Sequence, residues 1–112
     1  MGGIPSGLHK LTNLQRLTLS FNRLSGELFT DYVDGDVFFP SLRTMNLNDN
    51  VFTGTIPDEI LAKASSLQVL TVHNNGVTGS LVETCPGIML GSADCNVVVC
   101  PCCDDGPNCP SL

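Results

Sequence analysis

Tryptophan is absent from the 112 residues, tyrosine occurs once, and aromatics amount to 5% of the chain. A core built here has to be aliphatic, from the Leu, Val and Ile that dominate its 42% hydrophobic content. Basic residues are scarce as well. Lys10, Arg16, Arg23, Arg43 and Lys63 are scattered among eleven Asp and Glu, for a net charge of −6. Nucleic acids and anionic membrane surfaces both need clustered Lys and Arg, so neither is expected as a partner. No apolar run approaches the roughly 20 residues of a membrane span. The first residues, MGGIPSGLHKL, show no charged segment followed by an apolar one, so no secretory leader is visible. There is no N-x-[ST] sequon, no H-E-x-x-H, no G-x-S-x-G and no Gly-rich phosphate loop. The chemistry of an enzyme, and a cofactor to serve it, are therefore not expected. Cysteine is missing from the first 84 residues, and all six cysteines fall in the last 28.

What is present is a repeat. LQRLTLSFNRLSGEL (14–28), LRTMNLNDNVFTGTI (42–56) and LQVLTVHNNGVTGSL (67–81) align on L-x-x-L-x-L-x-x-N-x-L-x-G-x-[LI], with starts 28 and 25 residues apart. Met45, Val72, Phe52 and Val77 are apolar replacements, and Gly3-Ile4-Pro5 matches the tail of one more copy. The L-x-L pair is a short strand whose alternate residues face opposite ways. Leu17 with Leu19, Met45 with Leu47, and Leu70 with Val72 should thus point inward. One coil cannot bury its apolar face, so the coils must stack. Asn22, Asn50 and Asn75 follow where the chain leaves the strand. An amide there carries donors and an acceptor for the backbone of adjacent turns, which predicts a buried Asn ladder. Gly26, Gly54 and Gly79 suit a bend toward a second short strand.

This pattern resembles the leucine-rich repeat family, in its plant-type class with L-x-G-x-I-P, over roughly residues 3–82. The resemblance implies an α/β solenoid: a right-handed superhelix with a parallel concave β-sheet, a short helical or irregular convex side and a disulfide-rich C-terminal cap. Residues 1–82 are read as a partial repeat plus three full repeats, and 83–112 as a degenerate last repeat and the cap.

Two segments depart from the repeat. LFTDYVDGDVFFPS lengthens the first connection and carries Asp31, Asp34 and Asp36 near Gly35. Clustered carboxylates suit a hard cation in kind, but the spacing is not that of a calcium loop. No metal is expected, and the segment reads as a solvated convex loop that Phe38 and Phe39 pin to the stack. These acids also lack a partner that would complete an acid–base pair. PDEILAKASS reads as a short helix, with Pro57 in the first turn and Asp58 and Glu59 at its positive end.

Past Val82 the repeat decays. Ile88, Gly91 and Ala93 keep the spacing of Leu67, Leu70 and Val72. The tail ADCNVVVCPCCDDGPNC resembles the C-terminal caps of diatom and algal leucine-rich repeat proteins through Ala93-Asp94-Cys95 and Cys100-Pro101-Cys102-Cys103. It departs from them at Asp104-Asp105. The last coil needs a cover, and cross-links can replace packing in a segment with so little core. Cys85, Cys95, Cys100, Cys102, Cys103 and Cys109 are disulfide candidates with 15 possible pairings, of which adjacent Cys102–Cys103 is disfavoured. The spacing lacks the paired C-x2-C of common zinc modules.

On the concave face the outward residues should form rows: Arg16, Thr44 and Val69; Thr18, Asn46 and Thr71; Ser20, Asn48 and His73. Phe21, Asp49 and Asn74 flank them. These, Asn74 apart, are the candidate binding residues, and His73 is a candidate pH-sensitive contact. Such a face suits a protein or peptide ligand, or a glycan. The expected function is a non-catalytic binding module, extracellular or at the cell surface, as part of a longer precursor. The alternative is the structural C-terminal end of a longer receptor-like, receptor-kinase-type ectodomain whose binding surface lies upstream. No kinase motif occurs in these residues. Ile4, Leu8 and Leu11 would leave an uncapped N-terminal edge through which the chain could self-associate.

Overall fold

In the computed structural model, which describes residues 2–94 and 97–103, each coil contributes two short strands and a connecting segment. The first strands are β1 (Arg16–Thr18), β3 (Thr44–Asn46), β5 (Val69–Thr71) and β7 (Leu90–Ser92). The second strands are β2 (Ser25–Gly26), β4 (Val51–Thr55), β6 (Gly76–Ser80) and β8 (Val98–Val99). Each set forms a four-stranded parallel sheet, in the orders β1-β3-β5-β7 and β2-β4-β6-β8. The fold is the solenoid that the repeat implies.

The register repeats the sequence alignment. Leu17 lies opposite Met45, Met45 opposite Leu70, and Leu70 opposite Gly91. The decayed segment around Gly91 is therefore a true fourth strand. Met45, Leu47, Leu70 and Val72 are almost wholly buried. Leu17 is buried too, while Leu19 is only partly covered, because β1 is the outermost strand of its sheet among the described residues. Leu42, Leu61, Leu67, Val77 and Leu81 complete the aliphatic filling, and Phe52 joins them fully buried, so the core is not purely aliphatic as the composition suggested. Each such side chain contributes about 1.5–3 kcal/mol of transfer free energy.

The bend between the sheets is glycine's. Gly26, Gly54 and Gly79 have φ of 85°, 82° and 113°. At Gly79 a β-carbon would also come within 3.1 Å of Thr55 Cγ2.

On the convex side the second connection carries a single helical turn, α1 (Asp58–Leu61), after Pro57, as the sequence suggests. Its Asp58 accepts the N–H groups of Glu83 and Thr84, at 2.9 Å each, and so ties α1 to the following coil. The long first connection packs through an aromatic cluster. Phe38 lies edge-on to Phe29 at 5.1 Å, to Phe39 at 5.0 Å and to Tyr32 at 5.8 Å. Phe38 and Phe39 are buried and pin this segment to the stack.

Candidate functional site: the concave face and its flanks

Two of the three rows are in register in the sheet, and each of those two gains a member from β7. Arg16, Thr44, Val69 and Leu90 are in register, as are Thr18, Asn46, Thr71 and Ser92. What the sequence did not reveal is that these side chains bond to one another. Thr71 Oγ1 donates to Asn46 Oδ1 at 3.0 Å or to Asn48 Oδ1 at 2.7 Å. Ser20 Oγ donates to Asn48 Oδ1 at 2.8 Å, and Asn46 Nδ2 reaches Thr18 Oγ1 at 3.4 Å. Asn48, expected on the open face, is instead 8% exposed, because its neighbours in three coils close over it.

His73 is half-buried. Its Nδ1 shares a 2.6 Å hydrogen bond with Ser92 Oγ, and its Nε2 stands 3.7 Å from Asp49 Oδ2. A serine, a histidine and an aspartate thus lie in line, but their arrangement suits bracing. The Asp49 carboxylate takes the amides of Asn48 at 2.6 Å and Asn74 at 2.9 Å. Those amides, Asn48 first, hold its pKa below the ordinary carboxylate value.

The Asn ladder is present, but of its three members only Asn50 is buried; Asn75 is partly covered. Asn75 Nδ2 serves the carbonyls of Val72, His73 and Leu47, and its Oδ1 accepts the Phe52 N–H. Asn50 likewise serves Leu47, Asn48 and Leu19, and accepts from Leu24. Each therefore stitches its own coil to the preceding one. Asn22 bonds only the Leu19 and Ser20 carbonyls of its own coil and is exposed, not buried. No concave strand precedes β1 among the described residues to cover it.

One residue before each ladder Asn the backbone turns left-handed: Phe21 (φ 58°), Asp49 (60°) and Asn74 (55°). Asp and Asn tolerate that region and a bulky residue does not. Phe21 is nonetheless there, and is 78% exposed.

The leucine-rich repeat family model matches residues 13–32 and 41–62. These are the first two coils, with their ladder asparagines, glycine bends and paired strands. The chain is a leucine-rich repeat protein of the plant type. It is 34% identical over 98 residues to Receptor-like protein 7 of Arabidopsis thaliana, covering 71% of this chain and 10% of that protein. It is 38% identical over 83 residues to Receptor-like protein 14 of the same plant, covering 74% of this chain and 8% of that protein. The chain thus spans about a tenth of the length of these curated relatives. No solved structure matches it.

Beside the leucine-rich repeats lies a cluster that sequence reasoning missed. His9, in the 3-10 turn Leu8–Lys10, is 1% exposed. Its Nε2–H donates to Asp36 Oδ2 at 3.1 Å, its ring stacks on Phe38, and its Nδ1 stands 3.8 Å from Asp31 Oδ2. Asp31 also accepts the Gly7 N–H at 2.6 Å. The acidic connection is thus latched to the N-terminal segment and is not merely solvated. His9, ahead of the Val33 N–H, holds Asp36 below the ordinary carboxylate pKa, and the Gly7 N–H chiefly does so for Asp31. Asp34 stays exposed. The available signal was a histidine inside an otherwise aliphatic L-x-x-L turn.

At the other end of the leucine-rich repeat stack the cysteines are paired. Cys85, in the 3-10 turn Cys85–Gly87, is bonded to Cys102, and Cys100 to Cys103. The adjacent Cys102 and Cys103 do not pair with each other, as expected. Cys95 and Cys109, with Asp104 and Asp105, lie outside the described residues. Cys85, Cys100 and Cys102 have sulfurs close enough together to hold a metal ion, but the disulfides already engage all three. Gly91 explains how they fit. It occupies the leucine position of the fourth strand, and a β-carbon on it would meet the Cys103 and Cys102 sulfurs at 3.3 and 3.4 Å. Sulfur lies where Leu17, Met45 and Leu70 place their side chains in the other coils.

Proposed function

We propose that this chain is a non-catalytic leucine-rich repeat module that binds a protein or peptide through its concave face, with Phe21 as the apolar anchor. The observation that carries this is Phe21 itself: a large aromatic, 78% exposed, in a left-handed backbone position that its counterparts fill with Asp and Asn. Retained strain with no packing return points to use at the surface, and rigid aromatics are favoured anchors in interfaces. Exposed Arg16 and half-exposed Val69 and Thr44 lie on the same face. A glycan fits less well, because the polar rows it would need are already bonded to one another. The relatives are named receptor-like proteins. That supports an extracellular or cell-surface setting for this chain, within a longer protein.

The same lateral bonding favours a second reading, in which this segment is the structural C-terminal end of a longer receptor-like ectodomain. Panning the whole chain against a random-peptide phage library separates the two. Binding predicts enriched peptides whose affinity falls about tenfold or more in Phe21→Ala, as for a hot-spot anchor. They should be indifferent to Val33→Ala, a change at an exposed position on the long connection. Phe21→Asn should lose the same peptides while gaining about 1 kcal/mol in a urea melt, since Asn suits the left-handed turn. No enrichment, or peptides indifferent to Phe21, would favour the structural reading.

A further inference from the structure

The cap brings four sulfurs of two disulfides together. Cys100 Sγ lies 3.7 Å from Cys85 Sγ and 3.8 Å from Cys102 Sγ, the two ends of the neighbouring bond. The two bonds differ in access. Cys85 is 8% exposed, whereas Cys102, Cys100 and Cys103 are partly exposed, so both sulfurs of the outer bond but only one of the inner bond lie in partly exposed residues. Gly91 opens the space in which the sulfurs meet. Exchange between thiols and disulfides needs a thiolate within reach of a disulfide sulfur, and reach is what this packing supplies.

From this arrangement we infer that the cap is a thiol–disulfide exchange site, in which a small monothiol opens the outer bond and Cys100 then takes over the inner one. The thiolate of the monothiol attacks Cys103 Sγ. A mixed disulfide forms there and Cys100 leaves as thiolate. The Cys100 thiolate attacks Cys85 Sγ, a Cys85–Cys100 bond forms, and Cys102 leaves as thiolate, taking a proton from water. Two disulfides are present before and two after, one of them now mixed with the monothiol, so one thiol is consumed and one is created. The link from the turn at Cys85 to the tail passes from Cys102 to Cys100 and is never lost. Opening of the outer bond by a monothiol therefore rearranges the cap without detaching it from the last coil.

The test reads which cysteine is free. The folded 112-residue chain is pulsed with less than one equivalent of glutathione at about pH 8, near the ordinary thiol pKa. It is then quenched in acid and alkylated; half is digested without reduction to locate the glutathione adduct, and half is reduced and alkylated again with an isotopic reagent. Tandem mass spectrometry then reports the label at each cysteine. Glutathione on Cys103 with the free thiol on Cys102 is the expected result. Glutathione on Cys103 with the free thiol still on Cys100, or a free thiol on Cys85, Cys95 or Cys109, overturns the inference. Cys103→Ser gives an independent reading without added thiol. Its unpaired thiol should divide between Cys100 and Cys102, and confinement to Cys100 counts against exchange. Should that variant not fold, the wild-type pulse decides alone.

Discussion

At the scale of single residues, two adjacent positions of the repeat do opposite work. Asn50 closes four backbone bonds of the coil it belongs to and the coil before it. Leucine at that position would fill a similar volume and satisfy none of them. Asn50→Leu is therefore expected to cost about 1–3 kcal/mol, from buried backbone groups left unpaired. Asn22→Leu should cost clearly less, because Asn22 is exposed and serves its own coil only. Urea melts of the two variants side by side test this, and equal losses would show that the ladder does not act between coils. Phe21, one residue before Asn22, leaves its ring exposed and occupies a position that disfavours it. The repeat pattern made the ladder legible from sequence. It could not show the cost of Phe21, because that depends on a backbone angle that the pattern leaves open.

At the scale of elements, the long first connection is held by charge as well as by rings. Asp36 and Asp31 both have folded pKa values below the ordinary 3.8. Stability from a lowered carboxylate is fully present above its unfolded pKa and is lost as pH falls through the lowered folded value. Both side chains are partly exposed, at 21% for Asp36 and 37% for Asp31, so solvent screening keeps the effect modest. The expected outcome is a urea midpoint that drops on acidification below about pH 4, and drops less steeply in Asp36→Asn. Identical acid slopes in the two proteins would mean that the His9 contact carries no charge-dependent stability. The sequence showed the acids and the buried phenylalanines, yet His9 lies 27 residues from Asp36. Only the stacking of the first coil on the N-terminal segment brings them together.

At the scale of the whole molecule, the two ends of the stack differ. The C-terminal coil is closed by cross-links where Gly91 makes room for sulfur. At the other end β1 has a hydrogen-bonded neighbour on one side only, among the described residues. Ile4 and Leu8 are partly covered, whereas Leu11 is 48% exposed. An unpaired strand edge beside apolar residues is a template for pairing with another chain. The 112-residue chain by itself is expected to self-associate with rising concentration, through the β1 edge. Multi-angle light scattering checks this directly, and a monodisperse monomer at every concentration would count against it.

The sequence by itself determined the coil. The spacing of Leu, Asn and Gly specifies which residues point inward, where each strand ends and where the chain bends, because those follow from local geometry repeated at a fixed period. It even marked Ile88, Gly91 and Ala93 as a worn fourth copy, and Gly91 lies opposite Leu70 in the sheet. Only the tertiary structure decided what the repeats do to one another. Lateral bonds take Asn48 out of the open face, His9 finds its carboxylates, and the cap sulfurs gather over Gly91. Each of these depends on the stacking of different coils, at separations that a pattern read along the chain does not encode.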